Sequence, residues 1–153
     1  MRYWLMKSEP LKFSIDDLAS SPNQTTAWDG VRNYQARNFM WKQMCVGDQT
    51  FFYHSCCAQP GIMGIAEVTS PAYPDATQFD PKNRHFDPKA SQDNPRWFNV
   101  EITLKQKTRL LTIKELRQYP ELKRMRVLQT GNRLSITPVD PDEWKFILKI
   151  LQV

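Results

Sequence analysis

The apolar positions change period several times along the chain, and each change marks an element. Arg2 to Lys7 is short and rich in aromatic and apolar residues, which predicts a strand that Pro10 ends, since proline cannot donate to a ladder. Ser14-Ile15-Asp16-Asp17-Leu18 sets a serine N-cap three residues before an acid, the mark of a short helix. Ser21 to Thr26 is turn material. From about Asn33 to Met44 the pattern is helical, with Phe39 and Met40 sharing a face with Ala36 and Gln43. Gln49 to His54 and Ile62 to Thr69 read as two strands joined by a turn that ends in Pro60-Gly61. Residues 70–96 carry neither period and form a long loop. From Arg96 to Arg109, Val100, Ile102 and Leu104 alternate with Glu101, Thr103 and Lys105, which predicts the longest strand, wet on one face. Thr112 with Glu115 forms a capping-box pattern, and Pro120 starts a helical turn through Met125. Arg133 to Pro138 is the last predicted strand. Asp140-Pro141 then opens a helix whose Trp144, Ile147, Leu148 and Leu151 follow i, i+3, i+4, i+7, a core-facing stripe.

Five or six strands with short helices and no βαβ rhythm predict an α+β fold, a small β-barrel or curled sheet, in one domain over residues 1–153. At 153 residues the chain is long enough to bury a substantial core. Its net charge is +5, and residues 101–126, with eight Lys/Arg against three Glu, carry that whole excess. A local surplus suits a polyanion-facing surface and equally an ordinary solvated helix face. Cys45, Cys56 and Cys57 make an odd count, and adjacent Cys56 and Cys57 form no relaxed disulfide. With no apolar run of membrane length and charge from Arg2 onward, the expectation is a reducing, cytoplasmic setting, nucleoid-associated at most, without membrane contact. The cysteines lack a Cys-x-x-Cys pair and the chain holds two His, so neither metal nor cofactor is expected.

The candidate chemistry lies in the first third. Trp4 to Pro10 and Trp28 to Phe39 interleave large aromatics with hydrogen-bonding side chains, a mixture that suits a flat, polar, uncharged ring such as a nucleobase. Trp28 follows a polar turn and precedes Asp29-Gly30, outside any periodic pattern; it offers a stacking face or plugs one end of the barrel. Ser8 bonds a base edge or caps the turn into Pro10, while Lys7 and Glu9 flank it. Asn33 reads a base edge or caps the following helix, and Tyr34 beside it has a ring to stack. Arg32 and Arg37, with Lys105, Lys107, Lys123 and Arg124, are the candidate phosphate contacts. In the 70–96 loop, Tyr73, Phe79 and Phe86 are candidates for a pocket wall or lid, as is Trp97 just beyond it. His54 and Ser55 are adjacent on a strand end and point to opposite faces, so they do not form a catalytic pair.

Lys7-Ser8-Glu9-Pro10, Trp28 to Asn38, Phe52-Tyr53-His54-Ser55, Gly61 to Ile65 and Pro95-Arg96-Trp97 fall in the order and spacing of the EVE domain. The chain resembles that family, which belongs to the PUA-like group and is related to the YTH readers of methylated RNA. The resemblance implies a PUA-like barrel flanked by helices, with Trp28 in a base pocket and Ser55 at a base edge. It implies a non-catalytic module that takes a modified base, a modified cytosine in DNA or a modified RNA base, flipped out of its strand. The partner is then modified DNA or RNA, the protein a monomer or weak dimer, and protein partners are unknown. Family members usually carry Ser near Asn83 and Tyr near His85, so the chain departs from the pattern in the loop. The distant ASCH relatives suggest an alternative, a hydrolase of a modified nucleoside or small amide using Lys7, Glu9 and Asp29. A protein-interaction adaptor is the third reading.

Overall fold

Two neighbouring strands, β1 (Tyr3–Ser8) and β3 (Gln49–His54), run parallel, and the rest of the fold is arranged around them. The computed structural model describes residues 1–153. The remaining strands of the main sheet are β2 (Thr25–Ala27), β4 (Gly61–Val68), β7 (Glu101–Thr112) and β8 (Ile136–Val139), in the order β2-β7-β4-β3-β1-β8, with every other pairing antiparallel. A two-residue ribbon, β5 (Tyr73–Pro74) with β6 (Phe98–Asn99), stands apart. The helices are α1 (Ile15–Ser20), α2 (Tyr34–Asn38), α3 (Ile113–Leu116) and α4 (Pro141–Leu151).

Both faces of the sheet are covered. Trp4, Met6 and Phe52 point into a cluster with Ile15 and Leu18 of α1, Trp28 and Ile102. Leu5, Phe51 and Tyr53 point the other way, into a cluster with Trp144 and Ile147 of α4 and with Leu122 and Met125. Burial on both sides explains why Trp4-Leu5-Met6 and Phe51-Phe52-Tyr53 run apolar instead of alternating. Trp144 stacks on Phe51 at 4.0 Å, so the α4 stripe is core, as its period predicts.

The α+β class is as predicted; the closed barrel is not. The sheet is open, because its edges β2 and β8 are three and four residues long and each pairs on one side only. A hydrophobic period reports which face of a strand is buried and is silent on whether the last strand meets the first. Three boundaries also shift. The predicted 33–44 helix is α2 followed by a π-helical turn, Phe39–Gln43. The long strand divides at Val100 into β6 and β7, and the last strand begins at Ile136. The 70–96 segment is pinned by buried Asp75 and Gln78 and contains a 3-10 turn, Ala76–Phe79. No helix is long and apolar enough to cross a membrane.

Candidate functional site

A cavity of about 460 Å³ opens where the end of β1, the β2–α2 loop and the 84–85 corner meet. Trp28 forms part of its wall. Trp28 is 8% exposed, meets Phe52 in a T-shaped contact with ring centroids 5.6 Å apart, and donates its backbone N–H to the Val100 carbonyl at 2.8 Å. Core packing and cavity wall are therefore one role at this position. Ser8 also borders the cavity; its hydroxyl donates to the Phe13 carbonyl at 2.6 Å, which leaves its oxygen as an acceptor. Glu9 pairs with Lys12 at 2.9 Å on the rim. Asn33 does two things at once: its Oδ1 caps α2 by accepting the Ala36 N–H at 3.0 Å, and the residue borders the cavity.

The loop that presents Trp28 is held from below by the 70–96 segment. Gly30 adopts φ +78°, and its N–H donates to Asp75 Oδ2 at 2.8 Å. A Cβ at Gly30 would lie 2.7 Å from His85 Nε2, so a glycine is needed both for backbone conformation and for the close approach of the imidazole. Arg32 ties the same two segments. Its guanidinium donates to Asp75, Thr77 Oγ1 and the Val31 and His85 carbonyls at 2.8–3.1 Å, which uses all five N–H groups. Arg32 thus acts as a clamp, with no donor left over for the phosphate contact predicted of it. Gln78 secures the far end of the segment, accepting the N–H groups of Arg96 and Trp97 at 2.9 and 3.0 Å.

The charges are tuned by these contacts. Burial alone would raise the Asp75 carboxyl, but hydrogen bonds from Thr77, Gly30 and Arg32 hold it below the ordinary carboxylate range. Asp29, on the cavity wall, is shifted the other way, by loss of hydration and then by repulsion from Asp75. Burial and then the neighbouring Arg32 and Arg84 keep His85 below the usual histidine range, in its neutral form. Burial likewise lowers Lys7, whose ammonium sits 6.0 Å from the ring centroid of Tyr53, a residue of the opposite sheet face. Lys7 borders the cavity while its charge looks away from Trp28.

Of the predicted pocket residues, the structure brings together Lys7, Ser8, Glu9, Trp28 and Asn33, with Arg32. Tyr34 and Ser55 do not border this cavity. Tyr34 turns outward onto Trp97 at 4.8 Å, because Asn33 as cap sends the next side chain to the outer face of α2. The Ser55 N–H donates to the Ser8 carbonyl at 2.9 Å, a strand-end bond that supports Ser8 from outside. Tyr73, Phe79, Phe86 and Trp97 also lie away from the cavity. Tyr73 donates to Glu101 at 2.9 Å, Phe79 is half-buried in the 3-10 turn, Phe86 is exposed, and buried Trp97 donates to Asp87 at 2.8 Å. Residues that sequence reasoning passed over, Lys12, Phe13, Thr26 and Ser135, complete the walls. For Phe13 a signal existed: it precedes the Ser14 cap and packs on the cluster that holds Leu18, the spacing of a hydrophobic staple.

The basic surplus is distributed differently from a single phosphate track. Lys105 lies 3.8 Å from Glu67, Lys107 pairs with Asp16, and Arg37 donates to Asn38 and to the Arg96 carbonyl. Lys123 and Arg124 are exposed on the segment whose Leu122 and Met125 pack on the sheet face opposite Trp28. No three metal-ligating side chains cluster, and the three cysteines are free.

An open mixed sheet that carries at one end a polar cavity with an indole wall, propped by a long pinned loop, defines an α+β fold consistent with the PUA-like one that the resemblance implies. The chain belongs to the EVE domain family, whose model matches residues 2–150. It is 45% identical to thymocyte nuclear protein 1 of Homo sapiens over 166 aligned residues, covering 97% of this chain and 73% of that protein. A crystal structure of human THYN1 in complex with 5-methylcytosine-containing DNA superposes with a TM-score of 0.93 at 44% identity, covering 100% of this chain and 99% of that one. A crystal structure of a Pseudomonas putida protein gives 0.91 at 48% identity, covering 97% and 98%. An ASCH protein from Zymomonas mobilis, the group behind the hydrolase alternative, shares the fold alone, with a TM-score of 0.56 at 11% identity.

Proposed function

We propose that this protein is a non-catalytic reader of modified cytosine in DNA, which takes the unstacked base into the cavity beside Trp28. The observation that carries the reading is that cavity. At about 460 Å³ it has room for a nucleobase, and the Trp28 indole in its wall stands among hydrogen-bonding side chains on several sides. Among the lining residues, Ser8 and Asp29 carry acceptors suited to an exocyclic amine, and Asn33 carries amide donors suited to the ring nitrogen and carbonyl of a cytosine edge. Extruding a base costs a few kcal/mol, which contact with the indole and the edge hydrogen bonds offset. The likeness to human THYN1, whose crystal structure is a complex with 5-methylcytosine-containing DNA, supports the same ligand class here. The site favours binding over catalysis, since the Ser8 hydroxyl is committed to a backbone carbonyl and His54 Nε2 accepts the Ile15 N–H at 3.1 Å.

The test is equilibrium binding to matched oligonucleotides that carry one cytosine, 5-methylcytosine or 5-hydroxymethylcytosine, in DNA and in RNA. Tighter binding to a modified DNA strand than to its unmodified twin is the expected result, with the preference lost in Trp28→Leu. Equal affinity for all strands would overturn the reading, and a preference confined to RNA would move it to the other nucleic acid.

A further inference from the structure

Outside the cavity, α2 and the π-helical turn after it carry two large aromatic rings that the core does not absorb. Tyr34 is 47% exposed and Trp41 is 43% exposed. Both are held in fixed orientations. Trp41 lies flat against Phe98, with centroids 4.3 Å apart and planes at 5°, and Tyr34 lies against Trp97 at 4.8 Å and 21°. The Arg37 guanidinium sits between them, 4.6 Å from the Tyr34 centroid and 5.3 Å from that of Trp41, and is anchored by the Arg96 carbonyl at 2.8 Å. Lys42 adds an exposed ammonium 5.1 Å from the Trp41 ring. Trp41 also stands in a π-helical turn, a distortion frequent at functional sites.

We propose that Tyr34, Arg37, Trp41 and Lys42 form a second binding site, a ledge for the unpaired nucleotides that adjoin the base held in the cavity. The proposal rests on the base-reading function above and extends it to the flanking strand. Charge decides the occupant. The ring faces already carry Arg37 and Lys42, so a cationic guest is repelled, while a group that joins a flat ring to an anion satisfies both features. The Asp87 carboxylate nearby is matched by Arg96 at 3.7 Å, so it does not offset Arg37 and Lys42. The ledge also starts where the cavity ends. Asn33 and Arg32 border the cavity, and the Arg32 guanidinium lies 5.2 Å from the Trp97 ring on which Tyr34 stacks. A strand leaving the cavity past Asn33 therefore meets Tyr34 first and Trp41 next, seven residues and about two helical turns further on.

The experiment compares wild type, Trp41→Ala and Trp41→Phe on single-stranded DNA of roughly ten nucleotides with one central 5-methylcytosine, and on the same strand with cytosine. Trp41→Ala is expected to lose about tenfold in affinity for both strands while the ratio between them stays that of wild type. Trp41→Phe is expected to retain most of the affinity, and to lose the part of the fluorescence quenching on binding that comes from an exposed indole. Unchanged affinity in Trp41→Ala, or unchanged quenching in Trp41→Phe should the alanine variant not fold, would sink the ledge. So would a loss of the methylation ratio in Trp41→Ala, which would place Trp41 in base selection instead. A wild type without methylation preference, whose affinity for both strands still falls in Trp41→Ala, would keep the ledge and remove the base-reading function. A wild type that binds neither strand would remove both.

Discussion

The buried carboxylate of Asp75 accepts the backbone N–H of Gly30 at 2.8 Å, across 45 residues of sequence. This bond, with the Arg32 pair beside it at 3.1 Å, makes the 70–96 segment the floor on which the Trp28 loop rests. Replacing Asp75 by Ala leaves the Arg32 guanidinium without its counter-charge and Gly30 without its acceptor, and is expected to lower stability by roughly 3 kcal/mol. The pH dependence has a definite sign. Asp75 titrates below its ordinary value when folded, so its contribution is complete at neutral pH and is lost as pH falls from about 4 through the folded value. Urea titrations of wild type and Asp75→Asn between neutral pH and pH 3 should therefore converge as the solution becomes more acidic. Parallel curves would mean that Asp75 is not the group responsible.

Gly30 carries two separable constraints, a positive φ and the imidazole of His85 packed 2.7 Å from where a Cβ would be. Gly30→Ala is expected to cost about 2 kcal/mol, part from backbone strain and part from displacing His85. Adding His85→Ala removes the second part only. Thermal unfolding of the two single variants and the double variant gives the coupling, and the double variant should be more stable than the sum of the singles predicts. Simple additivity would show that the imidazole moves aside freely.

Asp29 lies on the cavity wall with its carboxyl raised, first by loss of hydration and next by repulsion from Asp75. A raised carboxylate opposes folding once it ionises, so its penalty grows as pH rises through its folded value and persists at neutral pH. Asp29→Asn is expected to melt slightly higher than wild type at pH 7 and equally at pH 3, while binding the modified strand more weakly because an acceptor for the exocyclic amine is lost. Stability and affinity moving in opposite directions is the behaviour of a residue kept for its ligand. A variant that loses both would make Asp29 a structural residue.

These residues also divide what the sequence discloses from what it hides. Local interactions were legible: Ser14 with Asp17 forms a complete capping box, Asp140-Pro141 opens α4 with Glu143 accepting the Asp140 N–H at 3.0 Å, and Thr112 caps α3 through the Glu115 N–H. At Thr112 the reciprocal half is absent, because the Glu115 carboxylate pairs with Arg109 at 2.8 Å, a partner six residues away that no cap pattern reveals. The position of Trp28 was legible because an unpatterned Trp before Asp-Gly stands outside both periods. Asp75 and Gln78 were not, since each is buried by contacts reached only after the chain has folded back, and in a loop there is no period to register burial. Open edges were hidden for a related reason: pairing of β2 or β8 depends on a partner far along the chain, and neither short strand encodes which side is left free.

The distribution of charge yields a final expectation. Leu122 and Met125 pack on the sheet face opposite Trp28, which places Lys123 and Arg124 with them, whereas Arg84 lies on the rim of the cavity itself. Lys105 and Lys107, on β7, are each matched by an acid, Glu67 and Asp16. Counterions are released only where a phosphate is in fact neutralised, so position governs the salt dependence and net charge alone does not. Arg84→Gln is expected to weaken binding to modified and unmodified strands alike and to reduce the slope of log affinity against log salt by about one. Lys123→Gln combined with Arg124→Gln should leave that slope as it is, despite removing two charges from a chain of net charge +5. Fluorescence anisotropy across a salt series distinguishes the two outcomes. A flattened slope in the Lys123/Arg124 variant would mean that the nucleic acid wraps onto the α4 side of the sheet, and the strand path past Asn33 would have to be redrawn.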